Sequence, residues 1–206
     1  MSKRAKAGLV FVALGILCLT AALGLFQSNR SEALEAEESA RSVMEKLAPA
    51  IVEQAREESL PPEPVEEAPL PSFDPTMPIV EIDGERYIGF LTIQDLELEL
   101  PVMEDWDYDK LKIAPCRFSG TLLERNLTIA AHNYQRHFGR LMNLSLGAEV
   151  LFTDVKGETT RFTVAELEVL QPNDIERMTA GDYDLTLFTC TYGGATRFAV
   201  RCLLAG

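Results

Sequence analysis

Two residues near the C-terminus have the chemical character of a nucleophile and an accompanying cation. Cys190 ends the apolar stretch DLTLFTC, and Arg197 begins RFAVRC seven residues later. The Gly193-Gly194 turn between them predicts two antiparallel strands, with thiol and guanidinium at one end of one sheet. A buried structural cysteine is the common alternative. Arg201, on the same face about 13 Å further along, is only a reserve cation.

One of the two histidines suits proton transfer. His132 ends the apolar stretch LTIAAH, so its imidazole is expected at a strand end where a pocket can open. His137, in RHFGRL, is predicted to be a solvated surface residue. A thiol nucleophile needs a proton carrier for its leaving group and a positive donor for its oxyanion. His132, Cys190 and Arg197 together would supply this chemistry, whereas a packed, inert histidine is the alternative.

The segments that must position these residues are short and alternate in polarity. One or at most two short helices are expected, near residues 106–112 and 137–144. The predicted strands, which have a period of two, are residues 87–93, 96–102, 127–132, 149–155, 160–170, 184–190 and 197–202. Seven or eight strands in about 130 residues predict an all-β domain folded as a closed or nearly closed barrel. A β-sandwich is the alternative fold, since strand count does not separate the two.

The N-terminal residues have the composition of a membrane anchor. Three basic residues lie in the tail, residues 1–6, and residues 7–26 are uncharged. A helix of that length spans about 30 Å, the thickness of a bilayer's hydrocarbon core. The basic tail predicts a cytoplasmic N-terminus, with everything after the anchor outside the cell. A cleaved secretory signal, with a weak cleavage site at residues 21–24, is the alternative.

A stalk is predicted over residues 27–78. Residues 31–59 are rich in Glu, Ala, Arg and Leu with a thin apolar stripe, which favours a solvated helix. Residues 60–78 contain seven prolines and predict an extended spacer. The folded domain is therefore expected to begin at residue 79 and to run to residue 206.

Composition excludes several classes of function. The 206 residues include 19 Lys and Arg against 32 Asp and Glu, a net charge of −13. This acidity, without a basic stripe, argues against nucleic-acid binding, which needs clustered cations. The spacing of the two histidines and four cysteines argues against a zinc site, so no metal or cofactor is expected. We expect a monomer in which Cys116 and Cys202 are packed free thiols, with a disulfide as the alternative.

Two stretches resemble the signature motifs of a known enzyme family. TIAAHNYQRHFGRL is similar to the histidine motif of sortases, and LTLFTCTYGGATRFAVRC is similar to their TLxTC signature and the arginine that follows it. Sortases are membrane-anchored cysteine transpeptidases of Gram-positive bacteria. The resemblance covers about residues 79–206, and WDYDKLKIAPCRFSGT is most similar to class B or class B-like members. Ala131 stands where members often have glycine before the histidine.

The resemblance implies an eight-stranded β-barrel and a specific reaction. Cys190 would attack the carbonyl after threonine in an LPxTG-like sorting signal, forming a thioacyl-enzyme. His132 would protonate the departing amine and then activate an acceptor amine from a peptidoglycan precursor or a pilin lysine. Arg197 would bind the substrate backbone and the oxyanion. The substrate contacts expected beside these residues are Thr189, Asn133 and Tyr192.

Three other functions are alternatives to the one that this resemblance implies. An L,D-transpeptidase also uses cysteine and histidine, but glycine precedes its cysteine where this chain has Thr189. A papain-like protease has its cysteine ahead of its histidine, the reverse of the order here. The alternative from a different class is a non-catalytic, stalked extracellular β-domain that binds cell-wall components. Cys190 would then be a core residue.

Overall fold

The computed structural model describes residues 3–58 and 77–206, with side chains for residues 11–56 and 77–206. Most of the predicted proline-rich spacer lies outside the described residues. The helices are α1 (Lys3–Glu58) and α2 (Ile175–Met178), with 3-10 turns at Gln94–Leu96, Lys110–Lys112 and Phe138–Asn143. The strands are β1 (Val80–Ile82), β2 (Glu85–Ile93), β3 (Leu98–Met103), β4 (Cys116–Ser119), β5 (Leu127–Ala130), β6 (Glu149–Asp154), β7 (Thr159–Leu170), β8 (Leu185–Cys190) and β9 (Arg197–Leu204).

Eight of the strands form a closed barrel. They are hydrogen-bonded in the order β2-β3-β4-β5-β8-β9-β7-β6, and β6 pairs again with β2. The short strand β1 pairs with β2 outside this ring. Among the described strands, β3–β4 and β5–β8 are parallel pairs, and the remaining pairs are antiparallel. The predicted eight-stranded barrel is confirmed, and the sandwich is excluded because one continuous ladder closes on itself.

The barrel closes where β2 bends at Gly89. Gly89 pairs with Val102 on β3 and with Asp154 on β6, and its φ is +145°. A Cβ atom at this position would clash with the backbone oxygen of Thr153. Glycine therefore allows β2 to approach two neighbouring strands closely at one point.

Side-chain alternation along the strands produces two apolar layers. One layer fills the barrel interior and includes Leu91, Phe152, Leu187 and Val200. The other lies on the outer face of the barrel, where Ala130, Phe188 and Ala199 pack beneath residues from α1 and α2. The outer layer matters for function because Cys190 follows Phe188 at the next outward-facing position of β8.

Seven strands occur close to their predicted positions, and the sequence analysis missed two. β1 has three residues and β4 has four, too few for a clear period-two pattern. The helices predicted near residues 106–112 and 137–144 are present only as short 3-10 turns. α2, in the segment between β7 and β8, was not predicted because it has four residues.

The C-terminal half of α1 packs against the barrel. The buried residues follow one another at intervals of three or four, as one face of a helix does, and they are Ala36, Ala40, Val43, Leu47 and Ile51. Burying each of the three larger side chains contributes about 2 kcal/mol. The prediction of a solvated helix was wrong, because two of the buried positions are alanines and add little to an apolar stripe.

Ion pairs flank this contact. Arg136 lies 3.1 Å from the carboxylate of Glu37, and Lys46 pairs with Asp83 in the turn between β1 and β2. Each of these pairs is exposed and so contributes little free energy. They indicate the orientation of the helix, which passes over both the β1–β2 turn and the loop that follows β5.

His137 lies beneath α1. Its side chain is 0% exposed, its ring is 5.6 Å from that of Tyr134, and among the described residues neither ring nitrogen has a well-formed hydrogen bond. Burial lowers the pKa of His137 to about 4, outweighing a weaker polar contact with the backbone of Ala36 that favours the charged ring. The prediction of a solvated histidine was wrong because α1, which is distant in sequence, covers it.

Acid is expected to weaken the fold through His137. The pKa of this residue is about 4 in the folded chain and about 6.5 in an unfolded one. The unfolded chain therefore binds more protons, and stability falls as pH drops from about 6.5 to about 4, by up to about 3 kcal/mol. In His137→Leu this part of the loss is absent. Urea unfolding of both proteins at pH 7 and pH 4.5 measures the difference, and equal losses contradict the prediction.

Candidate active site

The β8–β9 hairpin brings the candidate nucleophile and cation together. Cys190 and Arg197 are register partners at the ends of the two strands. The turn between them is closed by a bond from the Thr191 amide to the Thr196 carbonyl, at 3.0 Å, and by one from the Gly194 amide to the Thr191 carbonyl, at 2.8 Å. The predicted antiparallel pairing is therefore present.

The parallel pairing of β5 with β8 places His132 beside them. The register pairs Ala130 with Phe188. Two residues further along, His132 lies level with Cys190. Adjacent strands are about 4.8 Å apart, so His132, Cys190 and Arg197 form one row across β5, β8 and β9. We call these three residues the candidate catalytic row, or the catalytic row for short. All three are half-buried.

Thr189 joins the two parallel strands. Its side chain is buried, and its hydroxyl donates a 2.8 Å hydrogen bond to the carbonyl of Ala131. Because side chains alternate along a strand, Thr189 lies on the face opposite Cys190. This bond sets the spacing between the strands that carry His132 and Cys190. A direct contact of Thr189 with substrate stays a prediction.

The loop after His132 is a tight turn. The carbonyl of His132 accepts a bond from the Phe138 amide at 3.2 Å, and the carbonyl of Tyr134 accepts one from the Gly139 amide at 2.9 Å. A Cβ atom at Gly139 would clash with the carbonyl of Asn133. The ring of Tyr134 lies 4.8 Å from that of His132. The turn therefore holds the imidazole at the open end of β5.

The guanidinium of Arg197 lies at the rim of the row. Its Nη1 donates to the carbonyls of Gly194 and Thr196, both at 3.1 Å. Nε and Nη2, with three N–H groups, make no hydrogen bond within the described residues. Arginine has five donors in a planar fork, so these remain available for a substrate carbonyl or an oxyanion. The side chain of Tyr192 is fully exposed at the hairpin tip, and that of Asn133 is also exposed.

Charged residues from two other elements influence His132. Burial and then the positive charge of Lys112 lower the pKa of His132, whereas the carboxylate of Glu32 raises it. Lys112 ends a 3-10 turn, and Glu32 is on α1. The influence of these two residues on His132 was not predicted from the sequence. Neither lies near the histidine in the chain, and no local pattern marks them.

Arg201 was expected as a reserve for Arg197, the cation of the site, but its surroundings do not fit this role. Its side chain is only 2% exposed, and it hydrogen-bonds to Glu168 and Thr186. A guanidinium held in this way is unavailable to substrate at the catalytic row. The sequence placed Arg201 on the correct face, since Arg197 and Arg201 are both outward on β9, but did not reveal what covers it.

All four cysteines are free. Cys116 lies in the outer apolar layer and Cys202 in the barrel interior, so the two are packed thiols, as favoured from the sequence. Burial raises the pKa of both Cys116 and Cys202 to about 12. Cys190 is half-exposed. It is therefore the accessible thiol of the barrel.

The model of the sortase domain matches residues 91–205, more than half of the chain. The chain belongs to the sortase family. The matched span includes the catalytic row and all of the barrel strands except residues 85–90 of β2. No curated protein sequence matches this sortase.

Solved sortase structures share its fold. Sortase C1 from Streptococcus agalactiae is 22% identical over 61% of this chain and 71% of its own, with a TM-score of 0.54. A sortase D5 transpeptidase from Clostridium perfringens is 19% identical over 84% and 99%, with a TM-score of 0.57. Sortase C from Clostridium perfringens SM101 is 20% identical over 82% and 90%, with a TM-score of 0.52.

These similarities establish the fold but not the subclass. Residues 77–206 make up less than two thirds of the chain. The match to the Clostridium perfringens sortase D5 covers 84% of it and therefore extends into the N-terminal residues. The two other structures are sortase C proteins. The class B assignment stays unconfirmed.

Alkylation of the native sortase is expected to modify Cys190 ahead of the other barrel thiols. With a pKa of about 12, Cys116 and Cys202 are about one part in 10⁴ thiolate at pH 8, and both are also sealed from solvent. Brief iodoacetamide treatment of the full chain, followed by peptide mass spectrometry, measures each site. Urea should make the three thiols react alike. Equal labelling of Cys116 and Cys190 without urea contradicts the prediction.

Proposed function

We propose that this sortase is a membrane-anchored transpeptidase that cleaves an LPxTG-like sorting signal and transfers the cleaved protein to an amine. The observation that supports this most directly is the catalytic row. It places a half-exposed thiol between an imidazole and a guanidinium with unused donors, all at the open end of one sheet. Acyl transfer through a thiol needs a nucleophile, a proton carrier and an oxyanion donor within reach of one substrate carbonyl, and these three groups can supply those functions.

Acylation begins at the thiolate of Cys190. Its sulfur attacks the carbonyl carbon of the threonine in the sorting signal. The carbonyl oxygen becomes an oxyanion, to which Nε and Nη2 of Arg197 donate hydrogen bonds. Collapse of this intermediate breaks the carbon–nitrogen bond. The imidazolium of His132 gives its proton to the departing amine. The products are a thioester on Cys190, a free amine and neutral His132.

Transfer to the acceptor reverses these proton movements. Neutral His132 takes a proton from the incoming amine as its nitrogen attacks the thioester carbon. The carbon–sulfur bond then breaks, an amide forms, and Cys190 leaves as a thiolate beside the recharged imidazolium. The proposed acceptor is an amine of a peptidoglycan precursor or a lysine of a pilin subunit. Asn133 and Tyr192, both exposed near the row, are proposed substrate contacts.

The N-terminal helix supports the membrane location. α1 is long and apolar enough to cross a membrane, and none of its most apolar stretch is buried in the protein. We propose that residues 1–6 are cytoplasmic, residues 7–26 span the membrane and the barrel is extracellular. The stalk proposed over residues 27–78 then includes a segment, residues 36–51, that packs on the barrel.

The function is tested with sorting peptides and an added amine. The full chain, in detergent, is incubated with a panel of LPxTG-type peptides, and mass spectrometry follows cleavage, transpeptidation and a thioester on Cys190. Cys190→Ala should abolish all three, and His132→Ala or Arg197→Ala should lower kcat/KM by about 10²–10³-fold. Cys116→Ala, which changes a buried thiol outside the row, is the control. A folded protein that cleaves no peptide in the panel would favour the non-catalytic binding domain.

Lys112→Gln is expected to shift the pH profile of this reaction. Lys112 lowers the pKa of His132, so its removal raises that pKa and increases the fraction of imidazolium at neutral pH. The acidic limb of kcat/KM should move to higher pH, and the rate at pH 7 should rise by up to about twofold. Arg161→Gln, an exposed substitution on β7, is the control. An unmoved or downward-shifted limb contradicts the role given to His132.

A further inference from the structure

Arg201 is a buried arginine on the same face of the sheet as the catalytic row. It follows Arg197 by four residues on β9, and its register partner is Thr186, four residues before Cys190 on β8. It therefore lies two outward-facing positions below the row, with Phe188 and Ala199 between. A charged side chain is almost never fully buried unless it is paired. The partners of Arg201 therefore indicate what it does.

The guanidinium binds four acceptors on three elements. Nη1 donates to the carbonyl of Met178 at 3.0 Å and to the hydroxyl of Thr186 at 3.1 Å. Nη2 donates to the carboxylate of Glu168 at 3.1 Å and to the carbonyl of Arg177. Two of these acceptors are backbone carbonyls at the end of α2. Helix C-termini leave carbonyls without intrahelical partners. Among the described residues the Met178 carbonyl accepts no bond from a backbone amide, whereas the Arg177 carbonyl also accepts one from the Ala180 amide at 3.4 Å.

The carbonyls belong to the β7–β8 segment, residues 171–184, which borders the catalytic face. The last residue of β7, Leu170, is paired with Arg197, so the segment leaves the sheet at the catalytic row. It returns at Leu185, about 17 Å away at the other end of β8. Between these points, Met178 packs with Phe188 in the outer apolar layer. The segment is thus a wall beside the surface that leads to Cys190.

Tyr183 gives the guanidinium a further contact with this segment. The Cζ atom of Arg201 lies 5.5 Å from the centre of the Tyr183 ring, and the Tyr183 hydroxyl is hydrogen-bonded to Glu166 on β7. Arg201 therefore holds the segment at α2 and again just before β8. Apart from Met178, the large apolar side chain of α2 is that of Ile175, which is exposed. Hydrophobic burial alone gives the segment little attachment.

We infer that Arg201 is a positioning residue that holds the β7–β8 segment in the place where it forms one wall of the sorting-signal site. This inference rests on the proposed function. Arg201 is sealed from solvent and does not touch substrate, so it acts through the carbonyls of Arg177 and Met178. Lysine has no planar fork and cannot reach the four acceptors together. Loss of the Arg201 guanidinium should therefore affect binding of the sorting peptide more than the chemistry at Cys190.

The test compares Arg201→Lys with wild type in the full chain. With the sorting peptide that wild type cleaves, KM should rise about tenfold while kcat stays within about threefold, because uniform binding is lost and the catalytic row is intact. Amide hydrogen exchange in residues 171–184 should become faster. Arg161→Lys, which makes the same substitution on the exposed face of β7, should change neither. Unchanged KM, a loss confined to kcat, or unchanged exchange overturns the inference.

Thr186→Val keeps the test decisive if Arg201→Lys does not fold. It removes one of the four acceptors with little change in shape, and KM should rise by about two- to threefold with faster exchange in the same segment. An unchanged KM with this variant also overturns the inference. Hydrogen exchange separates this inference from the proposed function. A wild type that cleaves no peptide defeats the proposed function, whereas exchange still reports whether Arg201 holds the segment.

Discussion

The hydrogen-bonded ladder between β5 and β8 determines which residues can meet at the open end of the barrel. These strands are parallel and distant in sequence, and their register alone sets His132 level with Cys190. A slip of one residue would turn the imidazole into the barrel interior, because side chains alternate between faces. The hydroxyl of Thr189 bonds across this ladder at the position just below the row. Packing of the interior therefore also fixes the geometry of the site.

The same ladder separates the residues proposed to react from the residues proposed to support them. Outward positions on β5, β8 and β9 carry the catalytic row, then small or aromatic apolar residues, then Arg201 and Thr186. Inward positions carry Leu187 and Val200, which fill the barrel. Arg197 and Arg201 share a strand and a face but differ in exposure. This difference matches the two roles proposed for them, contact with substrate for Arg197 and support of the neighbouring wall for Arg201.

The sequence was most informative where the relevant contacts are local. The TLFTC strand, the two glycines and Arg197 predict a hairpin, and period-two patterns predict a barrel, because each depends on neighbours in the chain. His132 and Cys190 are far apart in sequence, and only the resemblance of both motifs to one family connected them. Burial of a residue by a segment that is distant in sequence could not be predicted in this way. α1 buries His137, and the β7–β8 segment buries Arg201. No local sequence pattern in either segment predicts which residue it covers.

The docking of α1 also changes how the N-terminal half should be viewed. A solvated stalk would leave the barrel independent of the residues before it. Instead, Ala36 and Leu47 are buried on the barrel, and Glu32 contributes to the electrostatics of His132. The barrel and residues 32–51 thus form one structural unit.

Continuity of α1 has a consequence for how substrates reach the thiol. Nine residues, 27–35, connect Phe26 to the first docked residue, Ala36, and none of the nine is glycine or proline. An uninterrupted helix covers that interval in about 15 Å. If residues 7–26 span a bilayer, as proposed, the barrel lies close to the lipid headgroups. Its distance from the membrane and its orientation are then nearly constant. Membrane-bound partners would then reach the thiol by two-dimensional diffusion in the bilayer, whereas soluble partners would have to approach from the solution outside the cell.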